Sequence, residues 1–253
     1  MKKISVIVPA HNEEKNILLT IENILSSFKR LNLSGEIIVI NDGSQDNTEK
    51  IVNEKMEELQ GILKLTSNAK KMGVGFSFWR GVELAEGEAV VMIPGDNEND
   101  AFEILRYHHL LDDVDIVVNF IFNKEIRSFL RRIFSFVYNI LINLTFLTHF
   151  HYTNGTILVR KAVLKTIKHR CNGFSFQAEI LIKLVKRGYL FAEVPSRLNQ
   201  RKTGNSQAIK ISSIVRTLKE YFILIFDIYF RERPKKGEII KESITYQRKF
   251  GNN

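Results

Sequence analysis

The chain has 253 residues, of which 44% are hydrophobic, so it can bury the core of one large α/β domain. Its 37 basic and 28 acidic residues give a formal net charge of +9, which favours phosphate-bearing partners, anionic lipid surfaces or nucleic acid. The single cysteine, Cys171, excludes an internal disulfide framework and most cysteine-based metal sites, which favours an intracellular, reducing compartment.

The first half of the chain alternates between predicted strands and helices. Its opening, MKKISVIVP, has too short an apolar run for a signal peptide and is interpreted as a strand. This order of elements implies right-handed crossovers and a parallel sheet that is covered by helices on both faces. The predicted strands are 4–8, 36–40, 62–66 and 89–93, and the predicted helices run from Glu14 to Arg30, from near Asp46 to before Gly61, and through Trp79 and Leu84.

Polar clusters follow each of these four predicted strands. They are PAHNE at 9–13, NDGS at 41–44, Ser67-Asn68 and PGDNE at 94–98. One such cluster alone is equally well explained by turn and helix-capping chemistry. Sheets of this kind bind ligands at the carboxyl ends of their strands, so four clusters at one edge predict a binding cleft.

The carboxylates Asp96 and Glu98 are candidates for a metal site. They lie two residues apart, so their side chains point to the same side of an extended segment and can reach one hard cation. Two carboxylates completed by water and phosphate oxygens suit Mg²⁺ or Mn²⁺, and such an ion would neutralise a diphosphate leaving group. The sequence has neither a P-loop motif nor a dinucleotide-binding glycine motif after the first strand.

Several motifs in order resemble the family 2 glycosyltransferases of GT-A fold. They are PAHNEEKNI, EIIVINDGSQDNT, SNAKKMGVGFSFWRG and the strand ending in GDNE. The motifs NGTILVRKAVL, GFSFQAEILIK, GYLFAEVPSR and RKTGNS follow in an order similar to the polyprenyl-phosphate sugar synthases of the dolichyl-phosphate mannose synthase type. The resemblance covers residues 4–206 and implies an α/β fold with a Rossmann-like, mostly parallel sheet flanked by helices.

The resemblance also implies roles for individual positions. Asp42 matches the carboxylate expected at the base and ribose of the sugar nucleotide. Asp96 matches the last Asp of the family's D-x-D motif, and Glu98 falls where lipid-phosphate synthases often carry Gln as another metal ligand. The other positions expected at the nucleotide sugar are Pro9, Ala10, Asn12, Glu13, Asn68, Gly95, Arg201, Lys202 and Ser206.

The metal motif departs from the family pattern at Pro94, which occupies the position of the first Asp. We hypothesise that Glu98 compensates for the lost charge at this site. The metal ligands expected from the sequence are therefore Asp96 and Glu98, with Mg²⁺ or Mn²⁺ as the cofactor.

Arg201 and Glu179 join Asp96 as candidate catalytic residues. Arg201 begins the pattern R-x-x-G-x-S, which in the resembled synthases closes over the donor diphosphate or the acceptor phosphate, and its planar guanidinium suits phosphate. Without the family, this segment would be interpreted as a solvated surface turn. Glu179 is a candidate base for a sugar hydroxyl, a residue that orients the sugar or the Arg201 loop, or an ion-pair member on a helix.

The segment 124–148 is rich in aromatic residues and includes several cations. Its uncharged run of about sixteen residues is shorter than the roughly twenty needed to span a bilayer. We therefore predict an amphipathic helix in the membrane interface, with a buried core helix as the alternative. Residues 207–233 predict a second amphipathic helix, interfacial or dimer-forming, and residues 234–253 a charged tail for which partial disorder is expected.

These features predict a metal-dependent, inverting glycosyltransferase whose catalytic domain is 1–206. Its partners would be a nucleoside-diphosphate sugar and a lipid acceptor, most simply a polyprenyl phosphate, at the cytoplasmic face of the membrane, where the protein is peripheral or monotopic. The alternatives are a transferase that extends a cell-surface polysaccharide or glycolipid, and a catalytically silent nucleotide-sugar-binding protein, which Pro94 permits. A nucleic-acid partner is not expected because no nucleic-acid motif is recognised, and a homo-oligomer is left open.

Overall fold

The computed structural model describes residues 4–199 and 211–251. Short 3-10 helices lie at His108–Asp112 and Lys124–Ile126, and a π-helical turn lies at Asp227–Arg231. The α-helices are α1 (Ile17–Leu31), α2 (Thr48–Glu58), α3 (Val74–Leu84), α4 (Ala101–Leu105), α5 (Phe129–Phe146), α6 (Lys161–Leu164), α7 (Phe176–Arg187), α8 (Ile211–Phe226) and α9 (Ile244–Phe250).

The described residues form a mixed seven-stranded sheet with the order β3-β2-β1-β4-β6-β5-β7. Strand β6 is antiparallel to β4 and β5, and the other neighbouring pairs are parallel. The mostly parallel sheet predicted from the sequence is confirmed, and the four predicted strands lie within two residues of the observed bounds. The strands are β1 (Ile4–Ala10), β2 (Gly35–Asn41), β3 (Leu63–Ser67), β4 (Ala89–Met92), β5 (Ile116–Ile121), β6 (Ile157–Arg160) and β7 (Phe191–Ser196).

Helices cover both faces of the sheet because the central strands bury side chains on both sides. In β1, Ile7 belongs to the core cluster of α3 and α7, whereas Val6 and Val8 belong to the cluster of α1 and α4. Helix α1 contributes apolar residues at helical spacing, and Ile21 and Ile24 among them are fully buried. Strand β1 lies between β2 and β4, so the carboxyl ends of these three parallel strands meet at one edge, where such sheets bind ligands.

Helix α5 lies within the segment predicted to contact a membrane, and it is mostly exposed. Only Ile142 and Phe146 of this helix are buried, so it does not fit the alternative of a core helix. Phe129 is 71% exposed, and Phe222 of α8 is 65% exposed. Among the described residues, no helix is long and apolar enough to cross a membrane.

The charged tail predicted from residue 234 is packed on the domain over its described part. Thr245, in α9, is fully buried, and its backbone N–H donates to the carboxylate of Asp115 over 3.0 Å. Ile244 donates to the other oxygen of the same carboxylate over 3.0 Å. Partial disorder of the tail stays a prediction, but within the tail α9 packs on the domain because the buried carboxylate of Asp115, directly before β5, binds its first turn.

Candidate active site

The carboxylate of Asp42 holds the loops after β2 and β3 together. One oxygen accepts from the Asn68 amide over 2.7 Å and from the Met72 N–H over 2.8 Å, and the other accepts from the Gly73 N–H over 2.9 Å. Gly73 has φ +112°, and a Cβ there would lie 2.5 Å from the Asn172 carbonyl oxygen, so only glycine fits. The structure thus brings Asp42 and Asn68 together, as expected for one nucleotide site.

The loop after β1 is tied to the loop after β2. The Asn12 N–H donates to the Ser44 hydroxyl over 2.9 Å, and the Asn12 side-chain oxygen accepts from the Gln45 N–H over 2.8 Å. The Glu13 N–H donates to the Thr48 hydroxyl over 2.9 Å. These hydrogen bonds fix the predicted first nucleotide loop in place at the carboxyl edge of the sheet.

Gly95 brings the turn after β4 against the end of β1. Its N–H donates to the Pro9 carbonyl over 3.0 Å. A Cβ at this position would lie 3.1 Å from Ile17 and 3.2 Å from the Cβ of Ala10, so a larger residue would push the turn away. This close approach sets Asp96, the next residue, beside the β1 loop.

Asp96 and Glu98 lie on the wall of a cavity of about 460 Å³. Glu98 is buried, its N–H donates to an Asp96 carboxylate oxygen over 3.1 Å, and its carbonyl accepts from the Asn199 N–H over 2.7 Å. Asn97 between them adopts φ 54°, a conformation that asparagine tolerates better than most residues. The turn therefore presents both carboxylates to one space.

This pair of carboxylates fits a hard divalent cation. Among the described residues, no group of three or more His, Cys, Asp and Glu side chains is arranged as a complete metal site. Mg²⁺ and Mn²⁺ commonly take only one or two carboxylates and complete their shells with water and phosphate oxygens. Asp96 and Glu98 supply two carboxylates on the wall of a cavity that has room for a diphosphate.

The cavity extends from these carboxylates between α5 and α8. Its apolar walls come from both helices, whereas Arg131 brings a cation to within 3.6 Å of the Glu98 carboxylate. The sequence interpretation did not single out Arg131, although its spacing of four residues from Arg127 was a readable signal. The main apolar lining residues are Phe134, Val137, Leu141, Ile214 and Leu218.

Arg127 and Arg131 concentrate positive charge in this cavity. Burial and the neighbouring Arg127 charge lower the pKa of Arg131, while Glu98 acts in the opposite direction. Arg127 donates to the hydroxyl of buried Tyr152 over 2.7 Å. Burial alone would raise the pKa of Tyr152, but the Arg127 charge and local hydrogen bonds hold it below its usual value. Two cations forced together in a partly apolar space favour the binding of an anion.

Residues 5–168 match the sequence model of Glycosyl transferase family 2. The chain belongs to this family.

The relatives of this family 2 glycosyltransferase include lipid-phosphate enzymes. The chain is 36% identical over 98 residues to the dolichyl-phosphate beta-glucosyltransferase of Trichomonas vaginalis. This alignment covers 37% of the chain and 30% of that protein. The chain is 30% identical over 107 residues to the undecaprenyl-phosphate 4-deoxy-4-formamido-L-arabinose transferase of Proteus mirabilis, covering 42% and 32%. The matched region therefore spans about a third of each relative's own length.

Solved structures of glucosyl-3-phosphoglycerate synthase from Mycobacterium tuberculosis share the fold. The form with uridine diphosphate superposes with a TM-score of 0.65 at 19% identity, covering 89% of this chain and 79% of that one. The form with Mn²⁺, uridine diphosphate and glucosyl-3-phosphoglycerate has a TM-score of 0.61 at 20% identity, covering 86% and 79%. The family 2 glycosyltransferase described here therefore has the GT-A fold.

Glu179 lies in a buried ion-pair network and not on the cavity wall of this glycosyltransferase. It is 1% exposed, and its oxygens accept from the Arg170 and Cys171 N–H groups, each over 2.9 Å. Lys183 lies 3.0 Å from Glu179 and 3.1 Å from Asp227. Burial alone would lower the pKa of Lys183, but the charge of Glu179 raises it above its usual value. Of the three interpretations, this geometry favours the ion-pair role, and the roles of catalytic base and of orienting residue stay predictions.

The predicted phosphate loop residues Arg201, Lys202 and Ser206 lie outside the described residues. The described chain on either side of them borders the cavity of the glycosyltransferase. Asn199 bonds to the Glu98 carbonyl, and Ile214 lines the apolar wall.

Proposed function

We propose that this family 2 glycosyltransferase moves a sugar from a nucleoside-diphosphate sugar to a polyprenyl phosphate, with inversion at the anomeric carbon. The observation that carries the proposal is the continuity of one cavity. It joins the carboxylates after β4 to a pair of arginines and then to apolar walls from two exposed helices. A phosphate attached to a long apolar chain would fit this cavity, with the phosphate at the arginines and the chain along the apolar walls.

The donor would lie along the carboxyl edge of the sheet. The loops that Asp42 and Asn12 organise would hold the nucleoside, which would bring its diphosphate toward Asp96. Asp96 and Glu98 would hold Mg²⁺ or Mn²⁺, which supplies charge neutralisation to the departing diphosphate. Arg201 and Lys202 would add positive charge at the same group, in keeping with the resemblance.

The acceptor phosphate would bind at Arg131 and Arg127. Arginine suits this task because its guanidinium donates two parallel hydrogen bonds to phosphate oxygens. The apolar chain would then lie along Phe134 and Leu141 of α5 and Leu218 of α8. This placement directs an acceptor oxygen toward the anomeric carbon while the tail points to the exposed faces of both helices.

The reaction would form a bond between an acceptor phosphate oxygen and the anomeric carbon as the bond to the donor diphosphate breaks. The leaving nucleoside diphosphate carries away the bonding electron pair. A phosphate monoester with a second pKa of about 6 is already largely anionic at neutral pH, so no proton has to be removed. The absence of Glu179 from the cavity wall is therefore compatible with this acceptor and less so with a sugar hydroxyl.

The exposed apolar faces of α5 and α8 support a position on the membrane surface. Phe129 and Leu144 of α5 and Phe222 and Phe226 of α8 are each more than half exposed. Such residues beside Arg and Lys are typical of helices that lie in the lipid interface. We propose that the protein is peripheral or monotopic on the cytoplasmic face, where the acceptor chain can enter the cavity directly from the bilayer.

The experiment that tests the function supplies the purified protein with polyprenyl phosphate, Mn²⁺ or Mg²⁺, and a panel of labelled UDP-, GDP- and dTDP-sugars. Label should enter a lipid that mild acid hydrolyses, and Asp96→Asn should abolish the incorporation. Asp112→Asn, a surface carboxylate outside the cavity, should leave it unchanged. When membranes replace the purified lipid, label found only in long polysaccharide would support the alternative extending transferase, and donor binding without any transfer would support a silent binding protein.

A further inference from the structure

A second cavity, of about 280 Å³, lies beside the first half of α5. Arg127, Ser135 and Tyr152 line both cavities, so these side chains form a wall between the two. Asp96 and Glu98 line only the first cavity. The second cavity therefore lies outside the proposed metal site, and it shares Arg127 with the proposed acceptor site.

The second cavity is strongly cationic. Lys124, Arg127 and Arg132 line it, and the one carboxylate bonded to a described lining residue is that of Glu193, which lies 2.8 Å from the ring of His151. Lys124 and Arg127 lie 5.8 Å and 5.7 Å from the centre of the Tyr152 ring, so both cations cluster on one side chain. The Nε–H of Arg127 is buried and has no hydrogen-bond partner among the described residues. A buried donor without a partner is costly, and an anionic oxygen in the cavity would satisfy it.

The rim of the same cavity is apolar and faces outward. Phe129 is 71% exposed, Phe136 is 66% exposed and Ile133 is 42% exposed, and all three line the cavity. An occupant must therefore present negative charge to the interior and hydrocarbon to the rim. A soluble phosphate satisfies only the first condition, whereas a phospholipid satisfies both.

We propose that this second cavity binds the phosphate headgroup of an anionic membrane phospholipid. The cations would contact the phosphate, and the acyl chains would pass over Phe129 and Phe136 into the bilayer. Arg127 and Tyr152 form the wall that the two cavities share. The bound headgroup would therefore also hold the protein so that the first cavity opens toward the bilayer. The proposal rests on the membrane contact of the proposed function, but it does not require the transfer reaction itself.

The test measures binding of the full chain to sedimented vesicles of phosphatidylcholine alone or mixed with phosphatidylglycerol. The variant Lys124→Gln/Arg132→Gln should lose about 30-fold in affinity for the anionic vesicles, since each cation near an anionic leaflet contributes about a fivefold factor. The matched control, Lys29→Gln/Lys50→Gln, removes the same charge from exposed positions on α1 and α2, outside this cavity and on neither proposed membrane helix, and should lose less than about threefold. Binding to phosphatidylcholine vesicles should be equal in all three proteins, and equal midpoints of urea unfolding show that the variants fold.

Three outcomes would overturn the proposal. Equal losses in the two double variants would mean that diffuse surface charge, and not the cavity, attracts the membrane. Displacement by millimolar inorganic phosphate as effectively as by short-chain phosphatidylglycerol would identify a free-phosphate site. Equal affinity of the unaltered protein for both vesicle types would remove the headgroup preference. Sugar transfer in detergent is measured separately, so its failure would overturn the proposed function while leaving the vesicle result intact.

Discussion

The guanidinium of Arg131 lies 3.6 Å from the carboxylate of Glu98, which joins the exposed helix α5 to the turn after β4. Glu98 is buried and Arg131 is largely so. An ion pair at the junction between the proposed metal site and the proposed acceptor site makes each charge sensitive to the other's ligand. A variant of Glu98 should change the dependence on the metal ion, whereas a variant of Arg131 should change the affinity for the acceptor. The roles of the two residues can therefore be tested separately.

Glu98→Gln should raise the Mn²⁺ concentration needed for half-maximal activity by about tenfold, because the variant removes one of two candidate metal-ligating charges. Turnover at saturating Mn²⁺ should fall as well. A metal titration of sugar transfer measures both quantities, and Glu83→Gln on the exposed face of α3 is the matched control. Unchanged metal dependence and turnover would show that Glu98 does not compensate for Pro94.

Arg131→Met should raise the KM for polyprenyl phosphate by about 10- to 100-fold, since a hydrogen bond to a charged group contributes about 1.5 to 3 kcal/mol. The affinity for the nucleotide sugar should change little. The matched control is Arg132→Met, which removes the next cation along α5 but one that does not line the first cavity. Kinetics in detergent are suitable because they remove the effect of membrane attraction. A rise in the donor KM alone would place Arg131 at the diphosphate.

Glu179→Gln should act on stability and not on the chemical step. Its carboxylate holds two backbone N–H groups and buried Lys183, and disruption of a buried ion pair can cost about 3 to 5 kcal/mol. The remaining partners Asp227 and Glu232 keep Lys183 paired, so we expect a loss near the lower end of this range. Urea unfolding measures the loss, and kcat per folded molecule should stay within a few fold. A fall of a hundredfold or more in kcat would instead support the role of catalytic base.

The sequence predicted the strands of the first half of the chain well, because their signals are local. Buried apolar runs and the polar turns after them specify β2 and β3 and so place Asp42 and Asn68 at one edge. Glu179 was ambiguous because its partners are the backbone at 170–171 and Lys183 with Asp227, a set that only tertiary packing assembles. Arg131 was not predicted as a site residue for the same reason, since its place at the cavity depends on how α5 packs beside the turn after β4.

The buried carboxylate of Glu36 should make stability fall in acid. Burial opposes ionisation, but hydrogen bonds from Lys64, Ser5 and the Glu86 N–H, with the Lys64 charge, lower the pKa of Glu36 to about 2. Because the pKa is lower in the folded state than the ordinary 4.5, this stabilisation is present above pH 4.5 and is lost as the pH falls toward 2. The full effect is about 3 kcal/mol. Urea unfolding should show a difference between the unaltered protein and Glu36→Gln at pH 6 that shrinks toward pH 3.

The control for that series is Glu57→Gln, an exposed glutamate of α2. It should reproduce the pH dependence of the unaltered protein. If Glu36→Gln kept the same dependence between pH 6 and pH 3, acid loss of stability would have to come from other carboxylates.

Glu220 should position the α8 wall of the cavity. Its two oxygens accept from the Gly173 N–H over 2.6 Å and from the Ser175 N–H over 3.3 Å. Arg216, one turn earlier, lies 3.4 Å from Glu220 and donates to the Met72 carbonyl over 3.3 Å. The Met72 N–H in turn bonds to Asp42, so one chain of contacts links α8 to the proposed nucleotide site.

Glu220→Gln keeps the side-chain shape but leaves one fewer acceptor and no charge, so the free energy of unfolding should fall by about 2 kcal/mol. The KM for polyprenyl phosphate should rise several fold because Ile214 and Leu218 of α8 line the acceptor part of the cavity. Donor affinity, measured by calorimetry with the nucleoside diphosphate, should change less. Lys219→Gln, the exposed neighbour, is the matched control. Equal losses of donor and acceptor affinity would indicate general destabilisation, and an unchanged acceptor KM would show that Glu220 has no positioning role.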